Sequence, residues 1–204
     1  NASTASVTLD RRKWEALGID GITADWGINT YLDKYSDCYQ QVANLVSQYS
    51  PNLVFIEQPF LGPLVKRLTK DHVFEKNIIL IYSSHNIEIN MKREIYHNYY
   101  SVELAEKNAV HVNEIEKEVI SACDAAIAVS PKDAAYIADI APGKPVAVYL
   151  NGHSKIKATT EDEKWRKRFA PNDRNWVFVG SWHPPNINGL CDLICALKLI
   201  NNQT

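Results

Sequence analysis

The segment Trp176–Leu190, W-V-F-V-G-S-W-H-P-P-N-I-N-G-L, sets the tightest limit on what this chain folds into. Four residues of β-branched and aromatic type run straight into Gly180. Pro184 and Pro185 follow, and then an apolar-periodic stretch from Ile187 to Ile200. That order predicts a buried strand, a tight glycine turn and the start of a helix. A helix starting directly after a strand aims unpaired N–H groups and its positive dipole end above the sheet edge, an arrangement that holds phosphates in many folds. Taken alone, the segment serves equally well as a structural turn between strand and helix.

A second segment about ninety residues earlier has the same plan. Ile78-Ile-Leu-Ile-Tyr82 is a run of five apolar residues, followed by Ser83, Ser84, His85, Asn86, Ile87 and Glu88. Such a run fits a strand of a parallel sheet covered on both faces. In open α/β sheets ligands bind outside the carboxyl ends of the strands, which is where Ser83 to Glu88 fall. A lone histidine is usually structural; one that follows two serines at a strand exit is a candidate for chemistry.

Between and around these segments, strand and helix patterns alternate. Tyr31–Tyr49 carries Leu32, Tyr35, Tyr39, Val42, Leu45 and Val46 at helical spacing and is closed by Ser50-Pro51-Asn52. Leu53–Ile56 reads as a strand that leaves Glu57 and Gln58 at its carboxyl end before Pro59, and Gly62–Lys70 as a short helix. Glu88–Ala122 is a long helical stretch with Val112, Ile115, Val119 and Ile120 on one face. Ala125–Val129 is a strand, Ser130-Pro131 a helix cap with proline in the first turn, and Val146–Leu150 a last strand before the turn Asn151-Gly152. Val7-Thr8-Leu9 is a weak strand candidate. The repeated strand–helix order predicts an α/β fold with a parallel, doubly wound sheet.

Composition excludes several classes. A net charge of −2 over 204 residues gives no electrostatic footprint for nucleic acid, and no apolar run approaches the roughly 20 residues that span a membrane. The N-terminal residues have no basic region followed by an apolar one, so they do not read as a signal peptide. The four cysteines (Cys38, Cys123, Cys191 and Cys195) make no disulfide framework in a chain this long. They are expected to be buried, reduced thiols of a cytoplasmic protein, with peripheral membrane association left open. The charged stretch Asn151–Arg174 reads as a solvated boundary between domains.

Tyr82–Glu88 (Y-S-S-H-N-I-E), Ala126–Ser130 (A-I-A-V-S), Val148–Gly152 (V-Y-L-N-G) and Phe178–Gly189 (F-V-G-S-W-H-P-P-N-I-N-G) resemble, in this order and spacing, the nucleotide-sugar glycosyltransferases of family 4. The resemblance spans Asn52 to Ile200; the first fifty residues carry no part of it. It implies a retaining, metal-independent transferase built from two facing Rossmann-like domains, with a nucleotide-sugar as donor substrate, a glycan or other hydroxyl compound as acceptor, and no further cofactor. On this chain it implies an acceptor-side Rossmann-like domain over residues 1–152, a linker over 153–174, and the start of the nucleotide-sugar-binding domain over 175–204. It also implies further strand–helix units in front and a longer second domain behind, so the chain reads as a piece of a longer enzyme, inactive alone.

The resemblance assigns His85 as the catalytic-site histidine that hydrogen-bonds the donor sugar, and Gly180 and Ser181 as the turn contacting the donor phosphates. Glu57, Gln58, Asn86 and Glu88 would line the acceptor side, with Asn151 and Gly152 at the hinge. No metal-ligand cluster is evident. Two other readings stay open: a non-catalytic binding module on the same scaffold, and a sugar-nucleotide epimerase of the same two-domain plan. An apolar face on Ile187–Ile200 (Ile187, Leu190, Leu193, Ile194 and Leu197) leads us to expect self-association of the isolated chain.

Overall fold

A computed structural model describes residues 5–74, 78–150, 152, 168, 178 and 184–201. The chain divides into two compact units, residues 1–151 and 152–204.

The first unit opens with three helices, α1 (Arg11–Ala16), α2 (Ala24–Lys34) and α3 (Ser36–Tyr49). Strands β1 (Leu53–Ile56), β2 (Ile79–Ser83), β3 (Ala125–Ala128) and β4 (Val146–Val148) then alternate with helices. A 3₁₀ turn (Pro59–Leu61) and α4 (Gly62–Lys70) follow β1; α5 (Glu88–Tyr99) and α6 (Val102–Ala122) follow β2; α7 (Pro131–Ile140) follows β3. All three strand pairs are parallel, in the order β1-β2-β3-β4. The register sets Ile56 beside Tyr82, Ser83 beside Ile127 and Ala128 beside Val148. This is an α/β fold consistent with a Rossmann-like plan.

Local sequence explains most boundaries. Ser130 Oγ accepts the Asp133 N–H at 3.1 Å and Pro131 pre-sets the first turn, so α7 starts where its cap dictates. Asp10 Oδ1 caps α1 through the N–H groups of Arg12 and Lys13, at 2.8 and 3.2 Å. Ser50 ends α3 in the left-handed region at φ 41°. Gly62 begins α4 because a Cβ there would lie 2.0 Å from Val119 Cγ2 on α6, so only glycine lets the two helices approach this closely.

Strand order decides where the core lies. Connections of one hand stepping in one direction deposit their helices on a single side of the sheet. Val54, Ile56, Leu80, Tyr82, Ala126 and Ala128 point to that side, where Ile56, Tyr82, Ala126 and Ala128 form the core with Val65 of α4, Val119 and Ile120 of α6, and Ile137 of α7. Fully buried side chains such as Tyr82, Val112 and Ile120 each gain about 1.5–3 kcal/mol from this burial. The residues alternating with them remain in contact with water: Leu53, Phe55 and Ile79 are 42%, 47% and 51% exposed. The expectation that β2 is covered on both faces is therefore corrected. The reversal of strand order that defines double winding is not present among the four described strands.

Other differences are of element length. Tyr31–Tyr49 is two helices broken at Tyr35, whose φ and ψ of −115° and 87° are extended rather than helical. Glu88–Ala122 is also two helices, because Tyr100 is extended and Ser101 caps a fresh helix through the Leu104 N–H at 3.4 Å. Val7–Leu9 forms no strand and instead packs, through Val7 and Leu9, with Tyr31 and Leu32. Cys38 and Cys123 are buried as expected, whereas Cys191 and Cys195 are exposed. In the second unit the helix α8 (Pro184–Asn201) spans the segment expected from Ile187 to Ile200. Among the described residues no helix is long and apolar enough to cross a membrane.

Candidate functional site

The carboxyl ends of β1 and β2 carry a polar cluster that the register assembles. Because Ile56 lies beside Tyr82, Glu57 and Ser83 leave the sheet as neighbours. Glu57 Oε2 accepts the Ser83 hydroxyl at 3.2 Å and lies 2.7 Å from His85 Nε2. Glu57 and His85 are both more than half exposed, so the pair faces solvent. Ser84 turns the other way. It is buried, donates its hydroxyl to the Asn86 carbonyl at 2.8 Å, and ties its N–H to the Ile127 carbonyl at 2.9 Å. That tie to the end of β3 fixes the loop on which His85 is displayed.

Beneath the exposed pair lies a buried layer of charge. Glu88, the first residue of α5, is only 4% exposed, and its Oε2 is a buried oxygen with no hydrogen-bond partner, as is Asn86 Oδ1. Burial pushes the Glu88 carboxyl up to about 7; Lys92 pulls it down, and the negative charges of Glu116 and Asp25 add to the rise. Glu116, on α6, is fully buried. Its Oε1 accepts the Glu88 N–H at 3.0 Å and the Tyr82 hydroxyl at 3.3 Å, and its Oε2 accepts the Ile89 N–H at 3.3 Å. Burial raises the Glu116 carboxyl, against the lowering effect of those three donors. Lys92 is buried, pairs with Asp25 of α2, and sits 5.5 Å from the centre of the Phe60 ring. Burial also drives the Tyr82 hydroxyl upward, so it acts here as a neutral donor.

The structure brings together only some of the residues expected at the site. Glu57 and His85 come together, with Ser83 as a third member. Glu88, the first residue of α5, is buried, and Asn86, just before the helix, is partly buried with its Oδ1 turned away from solvent. Gln58 is exposed and borders a hollow of about 350 Å³ with Leu9, Trp14, Asp25, Ile28 and Phe60. Gly152 is exposed with open space where a Cβ would stand. Asn151, Gly180 and Ser181 lie outside the described residues. Another hollow, of about 320 Å³ and mostly apolar, lies between α4 and α6 against Ile56, Leu80 and Val119. It holds none of the polar cluster.

Glu116, Lys92 and Asp25 are the supporting residues that sequence reasoning missed. A signal was present for two of them. Glu116 falls within the stripe Val112, Ile115, Val119 and Ile120, and Lys92 between Ile89 and Ile95, so each is a charge at a helical core position. Among the described residues no group of three or more His, Cys, Asp or Glu side chains is placed to hold a metal ion. What the exposed cluster offers chemically is a carboxylate acceptor with a hydroxyl and an imidazole each within hydrogen-bond reach of it.

Comparison of the chain with protein-family models, with curated proteins and with solved structures finds no match.

Proposed function

We propose that the chain is part of a retaining, metal-independent glycosyltransferase that moves a sugar from a nucleotide-sugar donor to a hydroxyl acceptor. The observation that carries this reading is the meeting of Glu57, Ser83 and His85 at the carboxyl ends of adjacent parallel strands, the edge at which open α/β sheets bind ligands. The resemblance of Tyr82–Glu88 and Phe178–Gly189 to family-4 transferases supplies the reaction class.

In this reading the unit of residues 1–151 is the acceptor-side half of a two-domain, doubly wound enzyme, and Gly180 and Ser181 belong to the donor-phosphate turn of the other half. Transfer requires the acceptor hydroxyl to be held near the anomeric carbon and the leaving diphosphate to be stabilised. His85 faces the donor sugar and holds its hydroxyl groups by hydrogen bonds, since a neutral imidazole both donates and accepts.

The test is an assay of the enzyme expressed from its full reading frame against a panel of nucleotide sugars. The expected result is transfer with retention at the anomeric carbon, lost on His85→Ala with no change in unfolding midpoint. Binding of no nucleotide sugar, or full activity in that variant, would refute the assignment.

A further inference from the structure

The exposed pair is more specific than a generic polar edge, and its chemistry points to the kind of group it meets. An ionised carboxylate only accepts hydrogen bonds. The ring nitrogen of His85 that lies 2.7 Å from Glu57 Oε2 is Nε2, and a hydrogen bond to a carboxylate at this position requires the hydrogen on Nε2. The neutral ring then has a lone pair on Nδ1. Glu57 Oε2 also receives the Ser83 hydroxyl, so a single oxygen organises two donors and holds the ring from one side. The loop beneath is fixed independently by the Ser84 contacts to Asn86 and Ile127.

We propose that Glu57 is a positioning residue that holds His85 in the Nε2–H tautomer, leaving Nδ1 to accept a hydrogen bond from a neutral hydroxyl of the ligand rather than to bind a phosphate. The distinction between hydroxyl and phosphate is electrostatic. A phosphate seeks donors and positive charge. Here the imidazole already gives its Nε2–H to a carboxylate, whose negative charge repels a second anion. A sugar hydroxyl needs only an acceptor lone pair, which Nδ1 supplies. The assignment of the hydroxyl to a donor sugar rests on the transferase reading above; the tautomer and the preference for a neutral partner do not.

The experiment uses the whole 204-residue chain with ¹⁵N-labelled histidine. Ring-nitrogen spectra at a pH where His85 is neutral are recorded for the wild-type chain, Glu57→Gln, Glu57→Ala and, to assign the signal, His85→Ala. The wild-type ring is expected to show one protonated nitrogen at Nε2 and one bare nitrogen at Nδ1. Glu57→Ala is expected to move both signals toward the averaged values of a free, mixed-tautomer ring, while Glu57→Gln, which keeps an acceptor oxygen, holds an intermediate position. Unchanged backbone spectra confirm that the variants fold; both side chains are exposed, so neither change disturbs the core.

Titrations with methyl α-glucoside and with inorganic pyrophosphate then separate the two ligand classes. The sugar is expected to shift the Nδ1 signal in the wild type and pyrophosphate to leave it unmoved, with pyrophosphate gaining a response only in the variants that remove the charge, Glu57→Gln and Glu57→Ala. A wild-type ring protonated at Nδ1, or ring signals identical in wild type and Glu57→Ala, would overturn the positioning role. A stronger response to pyrophosphate than to the sugar, or no response to either, would overturn the hydroxyl preference. Failure of the full-length enzyme to transfer sugar, with the ring spectra as expected, would refute the transferase reading and leave the Glu57–His85 assignment standing.

Discussion

Glu116 Oε1 accepts the backbone N–H of Glu88 at 3.0 Å, so a carboxylate on one helix caps the start of another. The N-cap position of α5 is Ile87, whose side chain cannot perform this task. Helix α5 thus begins where α6 places an acceptor, and its first residues carry Glu88 just past the loop that displays His85. The cap belongs to tertiary structure rather than to the local sequence.

Removing that cap should be costly. Glu116→Ala strips acceptors from the N–H groups of Glu88 and Ile89 and from the Tyr82 hydroxyl, all in a buried setting. Leaving buried donors unpaired costs about 1–3 kcal/mol each, so a total loss of about 2–4 kcal/mol is expected after partial rearrangement. Glu116→Gln keeps one acceptor oxygen and is expected to lose roughly half as much. Urea denaturation measures both; an alanine variant as stable as the wild type would refute the capping role.

The buried carboxyl of Glu88 gives stability a definite dependence on pH. Its value in the folded chain is about 7, against 4.5 for an ordinary glutamate. Between these values the folded chain holds a proton that the unfolded chain has lost, so stability falls as pH rises through this window. The difference amounts to a loss on the order of 3 kcal/mol, complete above about pH 7. Glu116 is raised as well and contributes in the same direction. Glu88→Gln should therefore narrow the stability gap between pH 5 and pH 8 relative to the wild type. An unchanged gap would show that Glu88 does not take up its proton on folding.

The contact of Gly62 with Val119 predicts a compensating pair. Gly62→Ala places a methyl group 2.0 Å from Val119 Cγ2 and should destabilise by about 1–3 kcal/mol through overpacking. Val119→Ala removes the obstructing methyl groups, and in the double variant the alanine at position 62 should cost little beyond the loss from Val119→Ala alone. A double-mutant cycle reads this directly. Strict additivity of the two changes would mean that α4 and α6 shift apart instead.

Much of this fold was legible in the sequence, and the parts that were not share a cause. Leu53–Ile56 and Gly62–Lys70 were readable to the residue because apolar runs and proline or glycine punctuation act locally. The breaks at Tyr35 and at Tyr100–Ser101 were not, since the helical apolar spacing continues across both; at the second, Ser101 offered a cap signal in mid-pattern. Whether β2 is covered on one face or two depends on strand order, which no local pattern encodes. The site shows the same division. Glu57 and His85 were located by the rule that ligands sit at strand carboxyl ends, whereas their 2.7 Å contact depends on the register of Ile56 against Tyr82. The burial of Glu88 was not legible either, because the packing of α5 against α6 sets it.

The exposed sheet face makes the last prediction. Leu53 and Phe55 on β1 stand beside Ile79 and Ile81 on β2 in the observed register, on the side away from the helices. Three of these four are more than two-fifths exposed, and β1 stands at the edge of the four described strands. A contiguous apolar surface beside a free strand edge favours association with another copy of the chain. The 204-residue chain is therefore expected to form dimers or larger species whose proportion rises with concentration. Phe55→Lys and Ile79→Lys, each on this face and outside the core, should return it to a monomer without lowering its unfolding free energy by more than about 1 kcal/mol. Light scattering across a hundredfold concentration range measures the outcome. A wild-type monomer throughout that range would remove the self-association reading, and a dimer insensitive to both substitutions would move the contact to another surface.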